Sequence, residues 1–181
     1  MRIKTPYLLY FNGVGLILAI FVNSLANALP LGGLTTGEVS GLYPNPFTPA
    51  GFTFGIWGLI YSTLVWFVAW QIQYYVRERQ GPLMIERIGI LFFLSCCFNG
   101  AWLFAWHHLL IPFAFLLIVL LLITLLAIYM KVNRHDQKIS RREWWASVMP
   151  FSLYLGWITA ATLANLMILL VHFGLDSGGM A

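Results

Sequence analysis

LIPFAFLLIVLLLITLLAIYM, residues 110–130, runs without a charge until Lys131, and Arg134, Lys138, Arg141 and Arg142 follow before the next apolar run begins. A stretch of about 20 apolar residues is what a helix needs to cross the hydrocarbon core of a bilayer. Working outward from it, four more such runs emerge, giving spans at Tyr7 to Leu29, Ala50 to Tyr75, Arg87 to His107, Leu110 to Met130 and Trp145 to Phe173. All ten Lys and Arg residues then fall on one side: Arg2 and Lys4 before the first span, Arg77, Arg79 and Arg87 between the second and third, five between the fourth and fifth. The positive-inside rule puts the N-terminus inside and the C-terminus outside. The reading is therefore an all-α membrane protein, a five-transmembrane-helix bundle.

Composition agrees. The chain is 60% hydrophobic and 9% charged, with mean hydropathy +0.82, whereas a water-facing domain carries about a quarter charged residues. The sequence pI of about 9.3 does not point to nucleic acid, because the bases sit in short loops beside apolar spans, where orientation accounts for them. Five closely spaced spans make residues 1–181 a single domain whose backbones satisfy their own hydrogen bonds. Ala26-Asn27-Ala28 resembles a signal cleavage site, but the apolar stretch before it is long and contains Asn12 and Asn23, so the first span is read as retained. Cys96 and Cys97 read as small packing residues rather than a disulfide or metal site.

Polar residues inside spans point to the bundle interior. At 100° per residue Asn12, Asn23 and Asn27 lie within about 60° of one another. Ser95, Asn99, Trp102 and Trp106 share a face of the third span, and Tyr154, Trp157, Ala161 and Asn165 a face of the fifth. Phe54, Trp57 and Tyr61 do so on the second, where Gly51 and Gly55 form a small-xxx-small pair that permits close backbone approach. The fourth span is nearly uniform Leu, Ile, Val and Ala, which reads as the most lipid-exposed helix or an oligomer surface. Counted from the helix ends, the stripes converge in the outer half beneath the loop Pro30 to Pro49, whose four prolines and four glycines favour an irregular path over a helix. A loop of this length is often a lid.

No Asp, Glu, Lys or Arg stands clearly inside a span, which disfavours a proton-coupled pump. Indole and phenol faces with a few amides suit a flat, largely apolar ligand positioned by single hydrogen bonds. The competing account is that these stripes are glue between helices.

The same residues resemble the TspO/MBR family, the tryptophan-rich sensory proteins that include the mitochondrial translocator protein. Tyr154-Leu155-Gly156-Trp157, then Ala161-Thr162 and Asn165, is similar to the family's fifth-helix pattern; Asn99, Trp102 and Phe104 resemble its third-helix pattern, and Pro49, Phe54-Gly55, Trp57 and Tyr61 its second. Phe52 stands where the family usually has Trp, and the proline after Phe-Gly is missing, which marks a divergent branch. The resemblance implies a homodimeric bundle that binds porphyrin or haem and similar flat molecules, with no cofactor required, in the plasma membrane of a bacterium. The ligand-binding set read from stripes and resemblance together is Asn23, Asn27, Phe52, Trp57, Tyr61, Asn99, Trp102, Tyr154, Trp157, Ala161 and Asn165. No catalytic and no metal residue is assigned.

Three functions stay open: a sensor or transporter for tetrapyrrole-like molecules, a light-dependent porphyrin-degrading enzyme, and a structural membrane subunit without a small-molecule ligand. No general-base constellation is present, so an enzyme is the lesser reading. His107, His108 and His172 read as interfacial polar residues at helix ends rather than haem ligands. The loose cholesterol motif occurs at Leu126 to Lys131 and Val68 to Arg77, where any helix ending in Tyr and a base satisfies it. Trp144 and Trp145 beside Arg141 and Arg142 read as an interfacial anchor.

Overall fold

The computed structural model describes residues 4–29, 31–133 and 140–175, and every regular element among them is helical. The long helix α1 (Thr5–Ala28) has Pro6 in its first turn, where a missing N–H costs nothing because that group has no partner inside a helix. A 3-10 turn at Leu31–Gly33 and the short α2 (Thr36–Gly41) lead to a second 3-10 turn at Gly51–Gly55 and then α3 (Ile56–Glu78). Next come α4 (Leu83–Ile88), α5 (Leu91–His107) and α6 (Ile111–Val132). A single turn α7 (Arg141–Glu143), a π turn (Trp144–Val148) and α8 (Met149–His172) complete the described chain.

Four stretches, Thr5–Ala26, Gly51–Glu78, Ile111–Val132 and Arg141–His172, are long and apolar enough to cross a membrane. The fifth apolar helix, α5, has 17 residues and lies in the same bundle, packed against α1 on one side and α6 on the other, with α8 beyond α6. Phe67 in the middle of α3, Phe92 in the first turn of α5 and Phe151 in the first turn of α8 close a triangle of edge-on rings, with centroids 5.3, 5.0 and 5.7 Å apart. Such pairs contribute about 0.5–1.5 kcal/mol each beyond their burial, so three helices are registered against one another there.

Several sequence expectations change. The span expected from Arg87 to His107 is two helices, because Gly89 adopts φ 59°, ψ −133° between them, a conformation open to a residue without a Cβ; Arg87 thus belongs to α4. The span expected from Ala50 begins as a 3-10 turn, and Gly51 and Gly55 within it have no neighbour where a Cβ would stand, so they make no close helix contact among the described residues.

The fourth span, expected to face lipid most, is the reverse. α6 is 44% buried, the largest share of the four long helices, against 17% for the stretch containing α3. Ile111, Ala114, Ile118, Leu121, Leu125, Ile128 and Val132, spaced three and four apart, are all buried. A uniformly apolar sequence carries no contrast between its faces, so hydropathy does not reveal which side is covered.

Candidate ligand pocket

Polar side chains form a buried layer below the pocket. Asn99 of α5 is 1% exposed, and its Oδ1 accepts hydrogen bonds from Asn23 Nδ2 of α1 at 2.8 Å and from the Tyr61 hydroxyl of α3 at 3.2 Å. Asn23 Nδ2 also donates to the Ala19 carbonyl at 2.9 Å. One amide oxygen thus ties three helices at a single depth, which registers them because a slip of one turn leaves two buried donors without an acceptor. Closer to the opposite end, Asn12 Nδ2 donates to Gln71 Oε1 at 3.0 Å and joins α1 to α3 alone.

Above the amide layer lies a layer of rings. Trp57 stacks on Tyr61 with centroids 5.5 Å apart at 20°, meets Tyr154 edge-on at 5.9 Å and Trp157 edge-on at 6.3 Å, and tilts over Trp102 at 6.4 Å. Trp102 stacks in turn on Trp106 at 5.7 Å, and its Nε1 donates to Asn165 Oδ1 at 3.1 Å. Asn165 Nδ2 donates to the Ala161 carbonyl of its own helix at 2.9 Å, so the amide is held in one orientation. Between these rings is a cavity of about 250 Å³, lined by Phe54 of the 3-10 turn before α3, Trp57 of α3, Trp102 and Trp106 of α5, and Trp157, Ala161, Ala164 and Asn165 of α8. The Trp157 Nε1–H is buried and has no partner among the described residues. A buried indole donor left unpaired costs about 1–3 kcal/mol.

The connection expected to be irregular contains a helical turn. Thr35 caps α2 through a capping box: its side chain accepts from Glu38 N at 3.3 Å, while Glu38 Oε2 accepts from Thr35 N at 2.7 Å. Thr35's backbone and hydroxyl bonds hold the Glu38 carboxyl below the usual carboxylate range. The sequence signal was Thr35-x-x-Glu38, which marks a helix start even among glycines. This turn docks on α5: Trp106 Nε1 donates to the Thr36 carbonyl at 3.1 Å, and the Thr36 hydroxyl lies 3.1 Å from His107 Nε2. Gly32, at φ +73°, passes over the His107 carbonyl where a Cβ would come within 2.6 Å. His107, expected at the interface, is instead 3% exposed because the cover closes over it. Ser40, Phe47 and Pro49 of the cover complete the cavity wall.

A family model described as TSPO-like protein matches residues 9–181, nearly the whole chain and all five of its apolar helices. The chain belongs to the TSPO-like family. No curated protein and no solved structure matches it. Family membership and the four long apolar helices together make this TSPO-like chain an integral membrane protein.

Of the residues read from sequence, the TSPO-like chain brings Trp57, Trp102, Trp157, Ala161 and Asn165 to the cavity wall. Tyr61 and Tyr154 back the Trp57 ring, and Asn23 and Asn99 lie in the amide layer beneath. The side chain of Asn27 lies outside the described residues. Phe52 is 86% exposed and stands apart from the wall, in a 3-10 turn whose Thr53 and Phe54 line the cavity instead. The sequence-read set omitted Trp106, although it shares the stripe of Trp102, and omitted the cover residues, which reach the cavity by the fold of the loop and follow no periodicity. Among the described residues no group of His, Cys, Asp or Glu gathers as a metal site.

Proposed function

We propose that this TSPO-like protein is a membrane sensor or transporter-type receptor that binds a flat hydrophobic molecule of the tetrapyrrole kind between Trp57, Trp102 and Trp157. The observation that carries this reading is the cavity walled by the rings of Phe54, Trp57, Trp102, Trp106 and Trp157. Rings offer stacking surface to a flat, largely apolar ligand. A cavity of about 250 Å³ is near the lower bound of ligand pockets, about 300 Å³, so a tetrapyrrole extends past the rim under Phe47. We further propose that the chain spans the membrane five times as a homodimer in a bacterial plasma membrane, with α5 as the fifth span and the pocket in the outer half. The distribution of all ten bases supports that orientation.

Titration of purified protein with protoporphyrin, read by quenching of Trp fluorescence, tests the ligand. Saturable quenching that weakens in Trp157→Ala and persists in Leu116→Ala is expected; equal affinity in all three folded proteins removes the pocket and leaves the structural-subunit reading. Absorbance loss under light in the same samples separates binding from degradation. Labelling of a cysteine introduced as Ser177→Cys tests orientation, and modification from the cytoplasmic side alone overturns the five-span reading.

A further inference from the structure

At the end of the bundle opposite the aromatic pocket, where the bases gather, α3 and the α7 turn part to leave a cleft of about 330 Å³. Its inner wall is Trp70, 5% exposed, with Tyr74 one turn on and ring centroids 5.9 Å apart. Among the described residues its rim carries four charges: Arg77 and Glu78 from the last turn of α3, Arg142 and Glu143 from α7. Arg142 Nη2 donates to Gln73 Oε1 at 2.8 Å, which straps α7 across the cleft. Glu143 Oε2 accepts from Ser140 N at 2.9 Å, which fixes that carboxylate at the rim. Among the described residues Arg77 and Glu78 make no ion pair.

Among the described residues two guanidinium groups and two carboxylates give a lining without net charge. A simple anion meets the carboxylates there and a simple cation meets the guanidiniums, so neither alone is matched. A group carrying phosphate and ammonium together is matched at both ends, since guanidinium forks suit phosphate oxygens and carboxylates accept from an ammonium N–H. The apolar wall of Trp70 and Tyr74 then suits what is attached to that group. The π turn Trp144–Val148 follows the rim directly and leaves Trp144 and Trp145 exposed beside it; such turns gather at functional sites, and exposed Trp beside Arg marks headgroup depth. We propose that this cleft binds the phosphoethanolamine headgroup of a bilayer phospholipid, with phosphate at Arg77 and Arg142 and ammonium at Glu78 and Glu143. The site is separate from the aromatic pocket and does not depend on the ligand of that pocket.

Native mass spectrometry of the full-length protein, equilibrated with equal amounts of phosphatidylethanolamine, phosphatidylcholine and phosphatidylglycerol of distinguishable mass, tests it. One bound phosphatidylethanolamine is expected at about 5- to 10-fold over the other two, the net worth of one hydrogen bond at a solvent-exposed rim. Glu78→Gln should erase the preference over phosphatidylcholine, whose quaternary nitrogen has no N–H to donate, and Arg77→Gln should lower retention of all three. Both residues are exposed, and unchanged thermal unfolding of the variants verifies their fold; Arg77→Lys should restore part of the retention. Equal retention of the three lipids by the native protein overturns the proposal, as does an undiminished preference in folded Glu78→Gln. Displacement of the lipid by an equal concentration of glycerophosphoethanolamine, which has no acyl chains, overturns the assignment to a membrane lipid in favour of a soluble phosphate-ammonium compound.

Discussion

α6 and α3 invert what hydropathy leads one to expect. The stretch holding α6 has mean hydropathy 3.1 and is 44% buried, while that holding α3, with its Trp, Tyr, Gln and Ser, has 1.6 and is 17% buried. In water an apolar helix is driven inward, but lipid tails are as apolar as leucine, so no such drive sorts helices within a bilayer. What sorts them is fit. α6 offers a buried ridge from Ile111 to Val132 to both α5 and α8, whereas α3 turns Trp57 and Tyr61 inward and leaves Leu59, Trp66, Ile72 and Val76 exposed.

The sharpest way to break this comparison is in the core of α6. Leu121→Ala, at a fully buried position, should cost about 2 kcal/mol, the low end of large-to-small changes, since in lipid the packing loss remains while the water-transfer part falls away. Leu116→Ala on its exposed face should stay within about 0.5 kcal/mol. Thermal unfolding in detergent measures both, and equal losses would mean that α6 is not the packed centre.

Trp157→Ala carries the contrast to the pocket side. It removes a ring and the unpaired Nε1–H, and protoporphyrin affinity should fall about 2- to 10-fold, the worth of one aromatic contact. Fluorescence titration reads it, against Trp66→Ala on the exposed face of α3 as the control that should leave affinity unchanged. Asn99→Ala should act differently. Asn99 lies beneath the rings with Asn23 and Tyr61 bound to it, so stability should drop by about 1 kcal/mol while ligand affinity changes less than in Trp157→Ala. The reverse order would move Asn99 into the wall.

The smallest expected effect concerns the cover. Glu38 is held below the usual carboxylate range by Thr35, so its contribution to the α2 cap is present above the unfolded value and is lost as pH falls through the lower folded one. Ligand off-rates should therefore stay level from neutral pH down to the ordinary carboxylate range and rise slightly only below it. A Thr35→Ala variant should show the faster off-rate at every pH, and a matching pH profile in variant and native protein would detach Glu38 from the cover.

Helical phase was enough to bring Trp57, Trp102, Trp157, Ala161 and Asn165 to one face each, because side-chain direction along a regular helix follows from spacing alone. Depth was harder. Asn99 stands three residues before Trp102, about 4.5 Å lower at 1.5 Å per residue, and that offset separates a floor from a wall. Phe52 misled because it was taken from its place in the family pattern, whereas in the 3-10 turn Gly51–Gly55 it is exposed while Thr53 and Phe54 reach the wall.

By itself the sequence determined the membrane class, the family, the rough extents of the apolar runs and the gathering of bases at one end, since each is a sum over local residues and their transfer energies. The tertiary structure alone decided that α6 is central and α3 peripheral, that Gly89 divides one run into two helices, that α2 closes on Trp106 and His107, and that four rim charges face one cleft. Those outcomes depend on which surfaces fit together across long sequence separations, and no local hydropathy encodes that fit.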